Sequence, residues 1–191
     1  MHCSSLSLAR KILFDIGISG AGHAGLAAAI SFAKSGFTVV LIDPQDRSKS
    51  SPTYQTGYNH LERTTAYLNQ AVEFFDWIDV WDFLKPEACP LKHLRIVNLQ
   101  TIGQAKLGSS QTTFSARKVG HNQFGFNVPL KDSLLALKKA AKQQAGIEWR
   151  LGYKLTDFNQ RADCAELYLS NVQVVRTKLL VGADGSQSGV R

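Results

Sequence analysis

Three glycines fall within six residues, Gly20, Gly22 and Gly25 in ISGAGHAG, where an apolar run gives way to an alanine-rich one. Ahead of them Ile12 to Ser19, ILFDIGIS, reads as a short apolar strand, and behind them Ala24 to Ser35 reads as a helix of small residues closed by Gly36. Phe37 to Ile42, FTVVLI, is apolar on both faces, as strands inside a parallel sheet are. This order predicts a βαβ unit of about thirty residues. In a G-x-G-x-x-G turn the first glycine permits the tight bend, the second lets bare backbone approach a pyrophosphate, and the third lets helix and strand pack closely. The helix start then offers amide donors and the positive end of its dipole to the phosphates. Asp43 stands 23 residues after Gly20, at the tip of the second strand, where a carboxylate can accept hydrogen bonds from a ribose diol. Strand, turn, helix, strand and acid together predict a dinucleotide site, with NAD and FAD both open.

The rest of the chain carries fewer constraints. Pro44 to His60 is polar and loop-like, and Glu62 to Ile78 has helical apolar spacing at Ala66, Leu68, Ala71, Val72, Phe75 and Ile78. VWDFLKPEACP reads as turns, Leu94 to Leu99 and Thr112 to Ala116 as two strands joined through GSSQ, and Leu130 to Ala145 as an amphipathic helix stopped by Gly146. The last third alternates like a run of short strands, with Leu179 to Gly182 expected beside the first βαβ unit.

Composition narrows the function. Residues 1–100 carry nine basic and nine acidic side chains, whereas 101–191 carry thirteen and six, so the whole net charge of +7 lies in the second half. A basic half suits an anionic cofactor or an anionic lipid surface. Aromatic residues are not interleaved with the charges as stacking platforms, which argues against nucleic acid. Cys3, Cys89 and Cys164 show no CxxC spacing and are odd in number, which points away from a disulfide framework or zinc and toward a reducing cytoplasm. Ile16 to Ala33 lacks Asp, Glu, Lys and Arg, but four glycines, two serines and His23 interrupt it, so a spanning helix is not expected. His23 has no second ligand nearby in sequence, and no metal site is expected.

Two further stretches bear a resemblance. Glu62 to Asn98, ERTTAYLNQAVEFFDWIDVWDFLKPEACPLKHLRIVN, resembles the segment that follows the βαβ unit in FAD-dependent aromatic hydroxylases, in particular those of ubiquinone biosynthesis; Glu62, Arg63, Ala66 and DVWD carry the likeness. Leu179 to Arg191, LLVGADGSQSGVR, resembles the Asp-Gly fingerprint of the same flavoprotein monooxygenases. The third family fingerprint, a Gly-Asp pair followed by proline and glycines, does not occur, so the resemblance is to the N-terminal portion of the family.

The resemblance implies an α/β fold: a Rossmann-like FAD-binding domain with a parallel sheet over 10–90 and 117–191, plus the first strands of an antiparallel substrate domain over 91–116, the C-terminal part of the family fold being absent. It implies FAD as cofactor and NAD(P)H as co-substrate. Gly20, Gly22 and Gly25 would meet the pyrophosphate, Asp43 the adenosine ribose, Arg63 the phosphates, Asp184 and Gly185 the middle of the cofactor, and Asn127 the cofactor from just ahead of the helix at Leu130. The activity implied is hydroxylation of a polyprenylated phenol with NAD(P)H and oxygen, peripheral at the inner face of a membrane. It also implies a complementing chain for the missing half. A nucleotide-binding module of the same fold without redox work is the alternative.

Overall fold

The structure, a computed structural model, describes residues 13–46, 63–102, 105–186 and 188–190. In chain order the elements are β1 (Leu13–Ser19), α1 (His23–Lys34), β2 (Val39–Asp43), β3 (Thr64–Leu68), α2 (Asn69–Trp77), α3 (Trp81–Leu84), β4 (Cys89–Pro90), β5 (His93–Ile102), β6 (Ala105–Ser115), β7 (Gly125–Pro129), α4 (Leu130–Lys142), β8 (Ile147–Leu151), β9 (Leu155–Gln160), β10 (Ala165–Leu169) and β11 (Val174–Gly182). They form two compact units, residues 1–58 with 137–191 and residues 59–136. Among the described residues no helix is long and apolar enough to cross a membrane.

The first unit is α/β, as the sequence predicts. Its six-stranded sheet runs β8-β2-β1-β11-β10-β9, with β8, β2, β1 and β11 mutually parallel and β11, β10 and β9 antiparallel. Val39, Val40, Leu41 and Ile42 are buried on both faces of β2, each contributing roughly 1.5–3 kcal/mol by leaving water. Leu26, Ala29 and Ile30 form the buried stripe of α1, whose alanines and Gly25 keep the helix close to the strands. A second apolar cluster joins Phe14, Val40 and Ile42 to Ala165, Leu167, Leu169 and Val175. β11 is shared between the two pairings: its first half pairs with β10, while Arg176 to Gly182 register with β1.

At one end of this sheet Asp15 ties three strands together. Its carboxylate accepts from the Thr38 amide at 2.9 Å and the Thr38 hydroxyl at 2.7 Å, and pairs with Lys178 Nζ at 2.6 Å. The Lys178 hydrogen bond, followed by those of Thr38, holds this carboxyl well below the usual carboxylate range.

The second unit holds a three-stranded sheet, β3-β7-β4, and the separate hairpin β5-β6. Here the sequence reading needs three corrections. The segment from Glu62 to Ile78 is not one helix: Thr64 to Leu68 pair with Pro129 to Gly125 as a strand, and the helix starts at Asn69. Thr64, Thr65 and Tyr67 favour extended backbone, and Asn69 ends the strand by binding Phe124 O through its amide and Gln123 O through its side chain. Gly108 to Gln111 are not a connecting loop but lie inside β6, opposite Gln100 to Val97. VWDFLKPEACP is more than turns, since Trp81–Leu84 is helical and Cys89–Pro90 pair with β7. The polar stretch from residue 47 onward, together with Glu62, lies outside the described residues.

Within this unit Tyr67 packs edge-on against Phe75 at a centroid distance of 4.6 Å, and its hydroxyl meets that of Ser133 at 2.9 Å. Burial pushes the phenol above its ordinary pKa. Gly125 allows the closest backbone approach here, because a Cβ on it would lie 2.0 Å from Tyr67 O. The helix expected to Ala145 ends at Lys142, and Gly146 serves β2 instead, accepting the Val39 amide at its carbonyl.

Candidate dinucleotide site

The glycine turn sits at the tip of β1, where the chain passes through α1 to β2 on one side while β11 lies on the other. That is the topological switch point at which open parallel sheets bind ligands. Gly20 donates its amide to Ile42 O at 2.7 Å, and Ala183 donates to Ser19 O at 2.8 Å. These bonds prolong both parallel pairings past the strand ends and set the tips of β2 and β11 beside the turn.

The three glycines meet different surroundings. Gly20 has φ +104°, and a Cβ there would lie 2.3 Å from Ala183 O. A Cβ on Gly25 would lie 1.8 Å from Gly20 O. Both are filled by the protein's own backbone, so they serve the bend and the helix–strand contact. Gly22 has φ −79° and ψ −169°, which any residue can adopt, and its Cβ would meet nothing within 4 Å. Neither strain nor packing requires glycine there; a ligand laid against the backbone would.

The donors needed for an anion are present. The first helical bond of α1 runs from the Leu26 amide to Gly22 O, so the amides ahead of Leu26 stand outside the helical ladder. Asp43 reaches the turn: its Oδ2 accepts the Ala21 amide at 2.6 Å and its Oδ1 accepts the Gln45 amide at 2.7 Å. One turn amide is therefore used internally, and it fixes the carboxylate next to Gly22. Each oxygen keeps a further lone pair, and the carboxylate is partly exposed, as an acceptor for two ribose hydroxyls would need to be. These residues fit a dinucleotide.

Asp184 and Gly185 follow β11. Asp184 N would lie 2.8 Å from a Cβ on Gly20, so the fingerprint from residue 183 on adjoins the first glycine. The Asp184 carboxylate accepts the Gly189 amide at 3.1 Å, and Gly185 has φ +89°. The pair thus makes a turn whose side chain remains exposed. The structure brings together Gly20, Gly22, Gly25, Asp43, Asp184 and Gly185 in the first unit. Arg63 and Asn127 belong to the second: Arg63 is exposed and its carbonyl accepts the Leu130 amide at 2.9 Å, and Asn127 lies on β7 between Ala66 and Cys89.

Sequence reasoning passed over Ala21 and Ala183, which act through backbone alone and leave no side-chain signal. It also passed over Gly152, whose φ of +85° lets the chain turn after β8 and return its amide to Asp43 O at 2.8 Å. Among the described residues no group of His, Cys, Asp and Glu is arranged to hold a metal ion.

Fold and site define a dinucleotide-binding α/β protein of the flavoprotein type. The profile of the FAD binding domain family matches residues 14–191, and the chain belongs to that family. It is 26% identical over 178 residues to the 3-demethoxyubiquinol 3-hydroxylase of Escherichia coli (strain K12), covering 93% of this chain and 42% of the relative. It is 27% identical over 177 residues to the ubiquinone hydroxylase UbiL of Rhodospirillum rubrum, covering 93% and 38%. The chain thus spans about two fifths of the length of these relatives. Its fold is shared by the flavin-dependent monooxygenase PieE, solved with FAD and substrate, at a TM-score of 0.68 and 20% identity over 94% of this chain and 31% of that one. The Diels-Alderase PyrE3 has it too, at a TM-score of 0.68 and 22% identity over 93% and 33%.

Proposed function

We propose that this chain binds the adenosine diphosphate half of FAD for a hydroxylase acting on a polyprenylated phenol. The observation that carries the proposal is the contrast at the turn: Gly20 and Gly25 are filled by backbone, while Gly22 faces open space next to a fixed carboxylate. In this reading the amides at the start of α1 hold the pyrophosphate, Gly22 lets it approach, and Asp43 accepts the adenosine ribose hydroxyls. Asp184 and Gly185 border the cofactor's middle. Arg63 and Asn127 are carried over as further cofactor contacts on the family resemblance. The functional division proposed is a cofactor part over 10–90 and 117–191 and a substrate part over 91–116.

FAD supplies the redox chemistry when bound, with NAD(P)H as the source of electrons and oxygen as the second substrate. The chain's part is to hold and orient it, and no nucleophile or triad is required. Both curated relatives carry ubiquinone or ubiquinol in their names, which supports a lipid-soluble phenol and a peripheral place at a membrane. Hydroxylation would also require the parts of those relatives that have no counterpart here, on the same or a complementing chain.

A second reading, a nucleotide-binding module without redox work, gains support from the Diels-Alderase of the same fold. Reconstitution tests both. Purified chain mixed with FAD is expected to retain flavin weakly and to quench its fluorescence, with little substrate-dependent NAD(P)H oxidation. Absence of any flavin binding overturns the first reading. Flavin binding that a complementing portion never converts into substrate-dependent NAD(P)H oxidation favours the second.

A further inference from the structure

The diphosphate of a dinucleotide is a double anion, yet the charged side chains that the first unit gathers around the glycine turn are acidic. Residues 17–33, 39–46 and 179–190, which hold the turn with α1, the end of β2 and the end of β11, contain Asp43, Asp46 and Asp184 and no Lys or Arg. On the neighbouring β8, Arg150 registers with Ile42, and its guanidinium pairs with Glu148. The side chain on the three segments that can carry positive charge is His23. It is the first residue of α1, directly after Gly22, and is half-buried. Every Cα–Cβ bond of a helix tilts toward the N-terminus, so the imidazole leaves the backbone on the side to which the amides ahead of Leu26 point.

We propose that His23 is a pH-dependent determinant of cofactor affinity: its imidazolium supplies the cation beside the diphosphate, so FAD is held more tightly once the ring takes up a proton. The inference rests on the cofactor reading above and names the residue that tunes it. In the free chain the positive end of the α1 dipole disfavours a charged ring. Two negative charges laid against the same amides reverse that balance, so diphosphate and proton each favour the binding of the other. A diphosphate diester keeps its charge throughout the range in which histidine titrates, about pH 5.5 to 7.5. The sign is therefore fixed: affinity rises as pH falls through that range and is level above it. Asp43, tied to the Ala21 amide at 2.6 Å, and Asp46 and Asp184 attract the proton with or without cofactor, so they moderate the coupling and leave its direction unchanged. One ion pair at the distances of a first helical turn, partly screened by water, is worth about a factor of ten in affinity.

The test is titration of the whole chain with FAD, followed by flavin fluorescence at several pH values between about 5.5 and 8.5. Wild type, His23→Gln and His23→Lys are compared, each with a thermal melt to show that it is folded. Wild-type affinity is expected to rise about tenfold from the alkaline to the acid end. His23→Gln should keep one affinity across the range, near the alkaline wild-type value, and His23→Lys one near the acid value. In the proton spectrum, the imidazole resonance that disappears in His23→Gln should titrate at higher pH with FAD than without it. Parallel pH profiles for wild type and His23→Gln overturn the proposal, as does an imidazole titration that FAD leaves in place. The two readings fail differently: absence of flavin binding at every pH overturns the cofactor assignment and this inference with it, whereas flavin binding whose pH dependence survives His23→Gln removes the role of the histidine alone.

Discussion

The two units finish their surfaces differently. In the first, β2 is covered on both faces and its four aliphatic residues are essentially without contact to water; at the glycine turn beside it, backbone crowds Gly20 and Gly25 while a Cβ on Gly22 would meet nothing within 4 Å. In the second, Leu68, Phe74, Trp77, Leu94, Ile96 and Phe114 all remain substantially exposed. The first unit combines a covered central strand with bare backbone at the turn beside it, and its exposed apolar side chains, Leu13, Phe37, Val172 and Leu179, are scattered along the chain. The second leaves larger apolar side chains, two of them on one helix and three on one ribbon face, in contact with water.

The largest effect expected from this contrast is at the glycines filled by backbone. Gly25→Val would drive a side chain into Gly20 O, and loss of about 4 kcal/mol or more is expected, enough to abolish a cooperative melt of the first unit. Gly125→Val, aimed at Tyr67 O, should do the same to the second unit. A denaturation curve for either that overlays the wild type would contradict the close contacts described.

Hydrogen exchange sharpens the comparison next. Amides of β1 and β2 should be protected about a hundredfold more than those of β5 and β6, because only the former are central strands with buried faces. Uniform protection would mean that the ribbon is covered. Asp43→Ala should weaken FAD binding about 10- to 100-fold, the scale of one or two hydrogen bonds to a charged acceptor, measured by flavin fluorescence quenching.

The smallest effect concerns acid. Asp15, held by Lys178 and Thr38, has its pKa depressed in the folded chain, so its contribution is complete above the ordinary carboxylate pKa and is lost as pH falls through the lower folded value. Asp15→Asn should therefore be less stable than wild type at neutral pH, and the gap between their melts should close as the solution is acidified below the ordinary carboxylate range. A gap that does not change with pH would show that the lysine pair contributes nothing.

The βαβ unit was legible because its signals are local and agree: bend residues, small helix residues and doubly apolar strands fall within one short stretch. β11 was legible beside it because LLVGADG resembles the family's Asp-Gly fingerprint at the end of a strand. The strand Thr64–Leu68 was hidden, since Ala66 and Leu68 suit a helical period as well as a pleat, and the choice is made by β7 about sixty residues on. Gly108 to Gln111 look like a loop, yet strand pairing along the ribbon keeps them extended. At the turn, Gly20 and Gly25 were legible because backbone fills the space a Cβ would take; Ala21 and Ala183 were not, because any residue with a backbone would serve.

The measurement closest to the central claim is a parallel titration of wild type and Gly22→Val with FAD, each accompanied by a thermal melt. A Cβ there meets no protein atom within 4 Å and the backbone is extended, so the melt should fall by no more than the small cost of losing glycine at a helix N-cap while flavin affinity falls at least tenfold. Unchanged affinity in the folded variant would show that no diphosphate lies against that backbone, and the assignment of the turn would be wrong.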